Sequence, residues 1–176
     1  MCGIIAVIGD YRYKEIPQAL IERGRDDNGI YQDDNVQLMQ TRLQITGNDK
    51  IDLPFQYGDW VLLYNGEVYN YEELNKSFLY EFEFKYDSDF ETVLFGFIKY
   101  GNDFIKLLDG QFMIFIYNKK TKQYFTFTDE MKIRTAYKVE YKGSTIISSN
   151  LRSLPEMKFQ EFPCKGYGNV TSATIL

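Results

Sequence analysis

Cys2 follows the initiating methionine in a chain of 176 residues that contains no histidine. A cysteine nucleophile ordinarily draws on an imidazole base, so papain-like and serine-protease-like arrangements are excluded as self-contained mechanisms. Removal of Met1, which a small second side chain permits, would leave Cys2 with a free α-amine. An unperturbed α-amine titrates at about 7.7–8.0 and an unperturbed thiol at about 8.5, close enough for the amine to accept the thiol's proton near neutral pH. Nucleophile and general base would then belong to one residue. With Met1 retained, that nitrogen is an amide and the chemistry fails. Other residues with chemical potential follow in chain order: Arg42, the Asn65-Gly66 pair with Glu67, and Ser88-Asp89. Taken singly, these read as a strand-edge charge, a hairpin turn and a helix cap.

A catalytic terminus must be held still. The run CGIIAVIG, stopped by Gly9 and Asp10, predicts a buried strand beginning at the second residue, which would fix the chain start in the core. Glu15–Arg23 predicts a short helix with Pro17 in its first turn, and RGRDDNG a polar turn. Residues 36–47 predict a strand with polar positions at Gln40 and Arg42. A second strand runs from Trp60 to Tyr64 into Asn65-Gly66, a strong turn signal. Asn70 with Glu73, and Ser88 with Glu91, look like helix starts, the second pair as a capping box. From there Phe90, Val93, Leu94, Phe97 and Ile98 recur at helical spacing up to Gly101. A helical turn is expected around Phe104, Leu107 and Leu108. Two hairpins follow, turning at 119–122 and at Lys142-Gly143. This order of elements predicts an α+β domain with helices covering antiparallel sheet. The tail from Pro155 to Leu176 is less periodic, with Phe159, Phe162 and Tyr167 as packing candidates.

Composition bounds the function. With 44% hydrophobic residues, 14 Phe, 15 Tyr and only 4 Pro, the chain is that of a packed domain rather than a disordered one. A net charge of -5 with no long basic run argues against a nucleic-acid surface. No window approaches the ~18 apolar residues of a membrane span. Two cysteines, Cys2 and Cys164, make a disulfide framework improbable and set a cytoplasmic location as the expectation. Cys164 reads as a buried or incidental thiol. No metal and no cofactor site is expected.

The pieces MCGIIAVIG, RGRDDNG, TRLQITG, LLYNGEVYNYEEL, SDFE and GQFMIFIYN, taken in order, resemble the glutaminase domain of class II, N-terminal-nucleophile glutamine amidotransferases. The likeness is greatest to the N-terminal half of glutamine-using asparagine synthetases, and it covers about nine-tenths of the chain. It implies an αββα sandwich of two antiparallel sheets between helical layers. It also implies that Cys2 attacks the glutamine carboxamide, with the Asn65 side chain and the Gly66 N–H as oxyanion donors. Arg42 would bind the substrate α-carboxylate, Asp89 its α-ammonium, and Glu67 would help hold the amine end. Such pairings suit the residue types, since a guanidinium grips a carboxylate through two parallel bonds.

Some positions depart from the family pattern. Arg25 stands for a proline, Gln40 for a usual histidine, Glu130 and Lys132 for an arginine and a glycine, Thr135 for a proline and Asn150 for a glutamate. The expectation is a single domain over residues 1–176 without a synthetase domain, hydrolysing glutamine to glutamate and ammonia for a separately encoded synthetase partner. Two other readings stay open: a non-catalytic domain that binds glutamine or a partner protein, and a hydrolase of another amide.

Overall fold

Strand alternation and helix periodicity divide the apolar residues into layers. In the computed structural model, which describes residues 2–43, 51–86 and 88–155, nine strands form two antiparallel sheets. The first contains β1 (Gly3–Ile8), β2 (Asp27–Gln32), β3 (Val36–Arg42), β8 (Tyr137–Tyr141) and β9 (Ser144–Ser148), in the order β2-β3-β1-β9-β8. The second contains β4 (Phe55–Tyr57), β5 (Trp60–Val68), β6 (Gly110–Asn118) and β7 (Tyr124–Thr128), in that order. The helices are α1 (Gln18–Ile21), α2 (Tyr71–Phe78), α3 (Asp89–Tyr100) and α4 (Asn102–Ile105), with a 3₁₀ turn at Leu151–Ser153.

Three apolar layers hold these together. Ile4, Ala6, Val36 and Leu38 of the first sheet meet Val61, Leu63, Met113, Phe115 and Tyr117 of the second. On the outer face of the second sheet, Leu62, Tyr64, Ile114 and Ile116 pack against Phe90, Val93, Leu94 and Phe97 of α3. On the outer face of the first, Ile5, Val7, Met39 and Ile146 are covered by Leu20 and Leu154. The expected αββα sandwich is present, with one helical layer reduced to the single turn α1 and the 3₁₀ turn. Full burial of each such side chain contributes about 1.5–3 kcal/mol before entropy is charged against it.

The helix α3 is buried on several sides, because Phe95 turns away from the sheet into a cluster with Leu74, Leu79 and Phe104. Gly96 lets that happen: a Cβ there would lie 2.0 Å from the Phe104 ring. Gly101 ends α3 with φ 65, as expected. The two predicted hairpins form, β6 with β7 and β8 with β9, the latter turning through Lys142 and Gly143, both with positive φ.

Several expectations need correction. The predicted helix over Glu15–Arg23 is only the turn Gln18–Ile21, entered from Pro17. RGRDDNG is not all turn, since β2 begins at Asp27. Asn65-Gly66 is no turn at all; β5 passes straight through both residues to Val68, paired with β6 throughout. The capping box does not form. Ser88 precedes α3 without capping it through its side chain, and Glu91, 1% exposed, accepts instead from the N–H groups of Lys85 and Tyr86 at 3.0 and 2.8 Å. Asn70 precedes α2 but its amide spans to Leu107 and Asp109. The far end of the predicted 36–47 strand, Cys164 and the aromatic residues of the tail lie outside the described residues.

Candidate active site

β1 is the middle strand of the five, with β3 on one side and β9 on the other. Its second residue is tied on both backbone groups: the Ile4 N–H donates to Ser149 Oγ at 3.0 Å, and its carbonyl accepts from the Ser149 N–H at 3.0 Å. Since Ile4 and Ala6 face the second sheet, period-2 alternation turns Cys2 the same way. The same rule applied to β3 aligns Gln40 and Arg42 with Val36 and Leu38. The register Ile4↔Gln40 and Gly3↔Thr41, carried one step further, brings Cys2 beside Arg42. The layer between the sheets is thus apolar through its middle and turns polar at this end.

The end of β3 is fixed by the RGRDD stretch. A Cβ at Gly24 would lie 2.6 Å from the Arg42 nitrogen, so only glycine allows this approach. Arg25, where the resemblance leads one to expect proline, forms an isolated parallel bridge to Arg42, and the Asp26 N–H donates to the Arg42 carbonyl at 3.1 Å. The turn is held by the strand it contacts.

From the opposite sheet, Val61, Leu63 and Asn65 alternate toward the same layer. The direction of the Gly66 N–H follows from its partner across the ladder. Gly66 pairs with Phe112, and Phe112 spends both backbone groups on Asp129: its N–H donates to Asp129 Oδ2 at 3.1 Å, and its carbonyl accepts from the Asp129 N–H at 3.0 Å. Gly66↔Phe112 is therefore a pair without mutual hydrogen bonds, and the Gly66 N–H points away from β6. Tyr64 and Val68, two residues either side, use that same edge toward Gln40 and Asp89. The glycine serves space rather than a special backbone angle: it is not among the residues with positive φ, and a Cβ there would lie 2.3 Å from the Gln111 carbonyl oxygen.

Asp89 opens α3, where the helix N-terminus favours negative charge. Its Oδ2 accepts from the Tyr64 hydroxyl at 2.6 Å and from the Val68 N–H at 2.9 Å, and Oδ1 accepts from Ser88 Oγ at 3.2 Å. Burial, and then the Asp89 charge, push the Tyr64 phenol well above its ordinary value. Tyr64 therefore stays a donor.

Cys2, Arg42, Asn65, Gly66, Glu67 and Asp89 all line one cavity of about 530 Å³. Asn65 is 2% exposed, while Glu67 sits exposed at the rim. Gln40, Tyr64 and Arg134 line the same space, joined by an apolar wall from Leu43, Ile51, Leu53 and Phe55. Tyr64 and Arg134 were not singled out from the sequence. Arg134 is presented by a loop closed on Asp129, whose carboxylate accepts from the N–H groups of Ile133 and Arg134 at 2.9 and 3.0 Å. Arg23 stands close enough for burial and the Arg134 charge to lower its pKa, with Tyr137 and Cys2 acting the other way. No local signal marks these two arginines, since each sits in a turn-like stretch where a solvated cation is the ordinary reading. No group of three His, Cys, Asp or Glu side chains suited to a metal ion occurs among the described residues, and no helix there is long and apolar enough to cross a membrane.

A model of the glutamine amidotransferase domain matches residues 1–164. The chain belongs to the glutamine amidotransferase domain family. Over 178 residues this amidotransferase domain is 33% identical to a "Probable asparagine synthetase (glutamine-hydrolyzing)" of Dictyostelium discoideum, covering 93% of the chain and 32% of that protein. Over 176 residues it is 32% identical to asparagine synthetase (glutamine-hydrolyzing) 1 of Arabidopsis thaliana, covering 93% and 30%. It thus spans about a third of the length of these relatives. Among solved structures it is similar to glutamine phosphoribosylpyrophosphate amidotransferase from B. subtilis, with a TM-score of 0.65, 14% identity, and coverage of 84% of this chain and 41% of that one. A structure of the allosteric regulatory enzyme of purine biosynthesis gives a TM-score of 0.70 at the same identity and coverage. At that identity the likeness concerns the fold, two antiparallel sheets with flanking helices, shared by the amidotransferase domain.

Proposed function

We propose that Cys2, freed of Met1, hydrolyses the side-chain amide of glutamine to glutamate and ammonia. The observation carrying this reading is the meeting, at one end of the inter-sheet layer, of the residue bearing the thiol with Asn65 and the cavity-facing edge of β5 at Gly66. In the proposed sequence, the α-amine takes the thiol proton as sulfur attacks the amide carbon. The oxygen of the tetrahedral intermediate lies between the Asn65 amide and the Gly66 N–H. The amine then protonates the departing nitrogen, ammonia leaves, and a water molecule cleaves the thioester to give glutamate and regenerate the thiol. An oxyanion donor of this kind typically contributes roughly 3 kcal/mol to the transition state.

Substrate orientation is assigned to Arg42 for the α-carboxylate and to Asp89, with Glu67 at the rim, for the α-ammonium. Support comes from charge and position: Asp89 is held on a helix N-terminus by Tyr64 and Val68, across the cavity from the sheet that carries Arg42. Recognition of both charged groups would reject amides that lack them. A separately encoded synthetase is the proposed acceptor of the ammonia. The named relatives, both glutamine-hydrolyzing asparagine synthetases, motivate the choice of a synthetase as acceptor, whereas the altered stretch Glu130–Thr135 favours the non-catalytic reading.

Intact-mass measurement together with a glutaminase assay tests the reading. Protein lacking Met1 is expected to release glutamate and ammonia, and C2A protein to release neither. Processed wild-type protein that binds glutamine without turnover, with or without a synthetase present, would reduce the domain to a binding module.

A further inference from the structure

Gln40 is a polar side chain placed in an apolar layer, 6% exposed, and both ends of its amide are bonded to the opposite sheet. Nε2 donates to the Tyr64 carbonyl at 3.1 Å, and Oε1 accepts from the Tyr64 N–H at 3.4 Å. The orientation is forced, since a carbonyl can only accept and an N–H only donate. These two bonds cross from the first sheet to the second at the cavity end of a layer whose middle is apolar.

Their location on β5 gives them meaning. β4 pairs with β5 only from Tyr57↔Trp60 to Phe55↔Leu62, so beyond Leu62 the β5 edge has no strand beside it among the described residues. Backbone groups on that edge come from Tyr64, Gly66 and Val68. The Gln40 amide takes both groups of Tyr64, and Asp89 takes the Val68 N–H. Gly66 lies between these two fixed points, and Asn65 directly follows the residue that Gln40 grips.

We infer that Gln40 is a positioning residue of the reaction: its carboxamide takes the place of a strand partner at Tyr64 and sets the aim of both oxyanion donors, the Asn65 side chain and the Gly66 N–H. This rests on the glutaminase reading and adds to it a residue that touches no substrate. A donor pair useful to the transition state must be fixed before charge develops, and misplacement by about 1 Å costs on the order of 100-fold in rate. Histidine, the residue expected here by resemblance, cannot reproduce this pairing, because its two ring nitrogens diverge and do not face one residue's N–H and carbonyl together.

The test is Gln40→Met, which keeps length and volume and abolishes both bonds. Expected is a kcat for glutamine lowered by about 10- to 100-fold, a KM within about threefold of wild type, and a melting temperature within a few degrees. In the pair Q40M/N65A, the combined loss should be clearly smaller than the product of the two single losses, because part of what Gln40 positions is already gone with Asn65. Wild-type kcat in Q40M, or losses that multiply independently in the double variant, would overturn the inference. Should Q40M not fold, Gln40→Asn takes its place, keeping the amide but drawing it back by one methylene; unfolding of both would assign the residue to stability and overturn the inference as well. Full activity of N65A, or wild-type protein without turnover, would instead bring down the glutaminase reading itself.

Discussion

The layer between the two sheets ends in a polar cluster on either side, and the two clusters are built to opposite specifications. At one end Asp33 is saturated. It accepts from the Tyr117 hydroxyl at 2.8 Å, the Tyr31 hydroxyl at 3.2 Å, Lys122 Nζ at 2.9 Å, and the N–H groups of Asn35 and Val36 at 2.8 and 3.0 Å. Burial alone would raise its pKa, but these donors outweigh burial and hold it down to about 2. At the other end, Cys2, Arg42, Asn65, Gly66 and Asp89 surround about 530 Å³ of space. Both clusters contain an aspartate bonded to a tyrosine hydroxyl. Asp89 lines that cavity and Asp33 does not, so an aspartate–tyrosine bond alone does not distinguish an active site from a structural knot.

That contrast can be broken by substitutions at each end. The largest expected effect is that of Cys2→Ala, a loss of glutaminase activity by about 10⁴-fold or more with the melting temperature nearly unchanged. Activity surviving in C2A would remove the chemical end of the comparison. Next comes Asp89→Asn, for which kcat/KM for glutamine should fall on the order of 100-fold, mainly through KM, because the ammonium loses its charged partner. Initial rates over a range of glutamine concentrations would show it.

At the saturated end the effects should fall on stability. Asp33→Asn is expected to cost about 1–3 kcal/mol at neutral pH by denaturant titration, leaving KM alone. The sign of its pH dependence is fixed by a folded pKa held below the usual 3.8. Stability from Asp33 is present above about pH 4 and is lost as pH falls toward 2, so the gap between wild type and variant should narrow across that window. A gap that widened on acidification would contradict the assignment. The smallest effect sharpens a different point. Lys132, where the resemblance leads one to expect glycine, has φ 52, a conformation that costs a residue with a Cβ about 1 kcal/mol. Lys132→Gly should gain at most about that amount, partly offset by the greater freedom of the unfolded chain, with glutaminase kinetics unchanged.

Much of the fold was legible where periodicity was long. The strand from Gly3, the α3 stripe of Phe90, Val93, Leu94 and Phe97, and both hairpins follow from spacing alone. What failed did so where local chemistry has two uses. Asn-Gly ordinarily turns a chain, yet here Gly66 is required by the closeness of β6 and the strand runs on. Likewise Gly29 looks like a turn residue in RGRDDNG but sits within β2, where the Leu53 carbonyl would lie 1.8 Å from any Cβ. Glu91 has the spacing of a capping box and is pulled instead into a buried pairing with Lys85 and Tyr86. For the two glycines a segment distant in sequence decides the outcome, and for Glu91 the stretch just before the helix does.

The grouping of the six residues named from sequence was legible, since they line one cavity; their surroundings were not. Tyr64 alternates into an apolar face, so nothing in its spacing announces the bond to Asp89; Arg23 and Arg134 meet near Cys2 only through folding from stretches more than one hundred residues apart.

β1, which carries Cys2 at its head, is the innermost strand of its sheet. Amide protons from Ile4 to Val7 should accordingly exchange with solvent only when the whole molecule opens. A denaturant curve followed by enzyme turnover should then superimpose on one followed by circular dichroism, with no window in which the domain keeps its shape but has let go of its nucleophile.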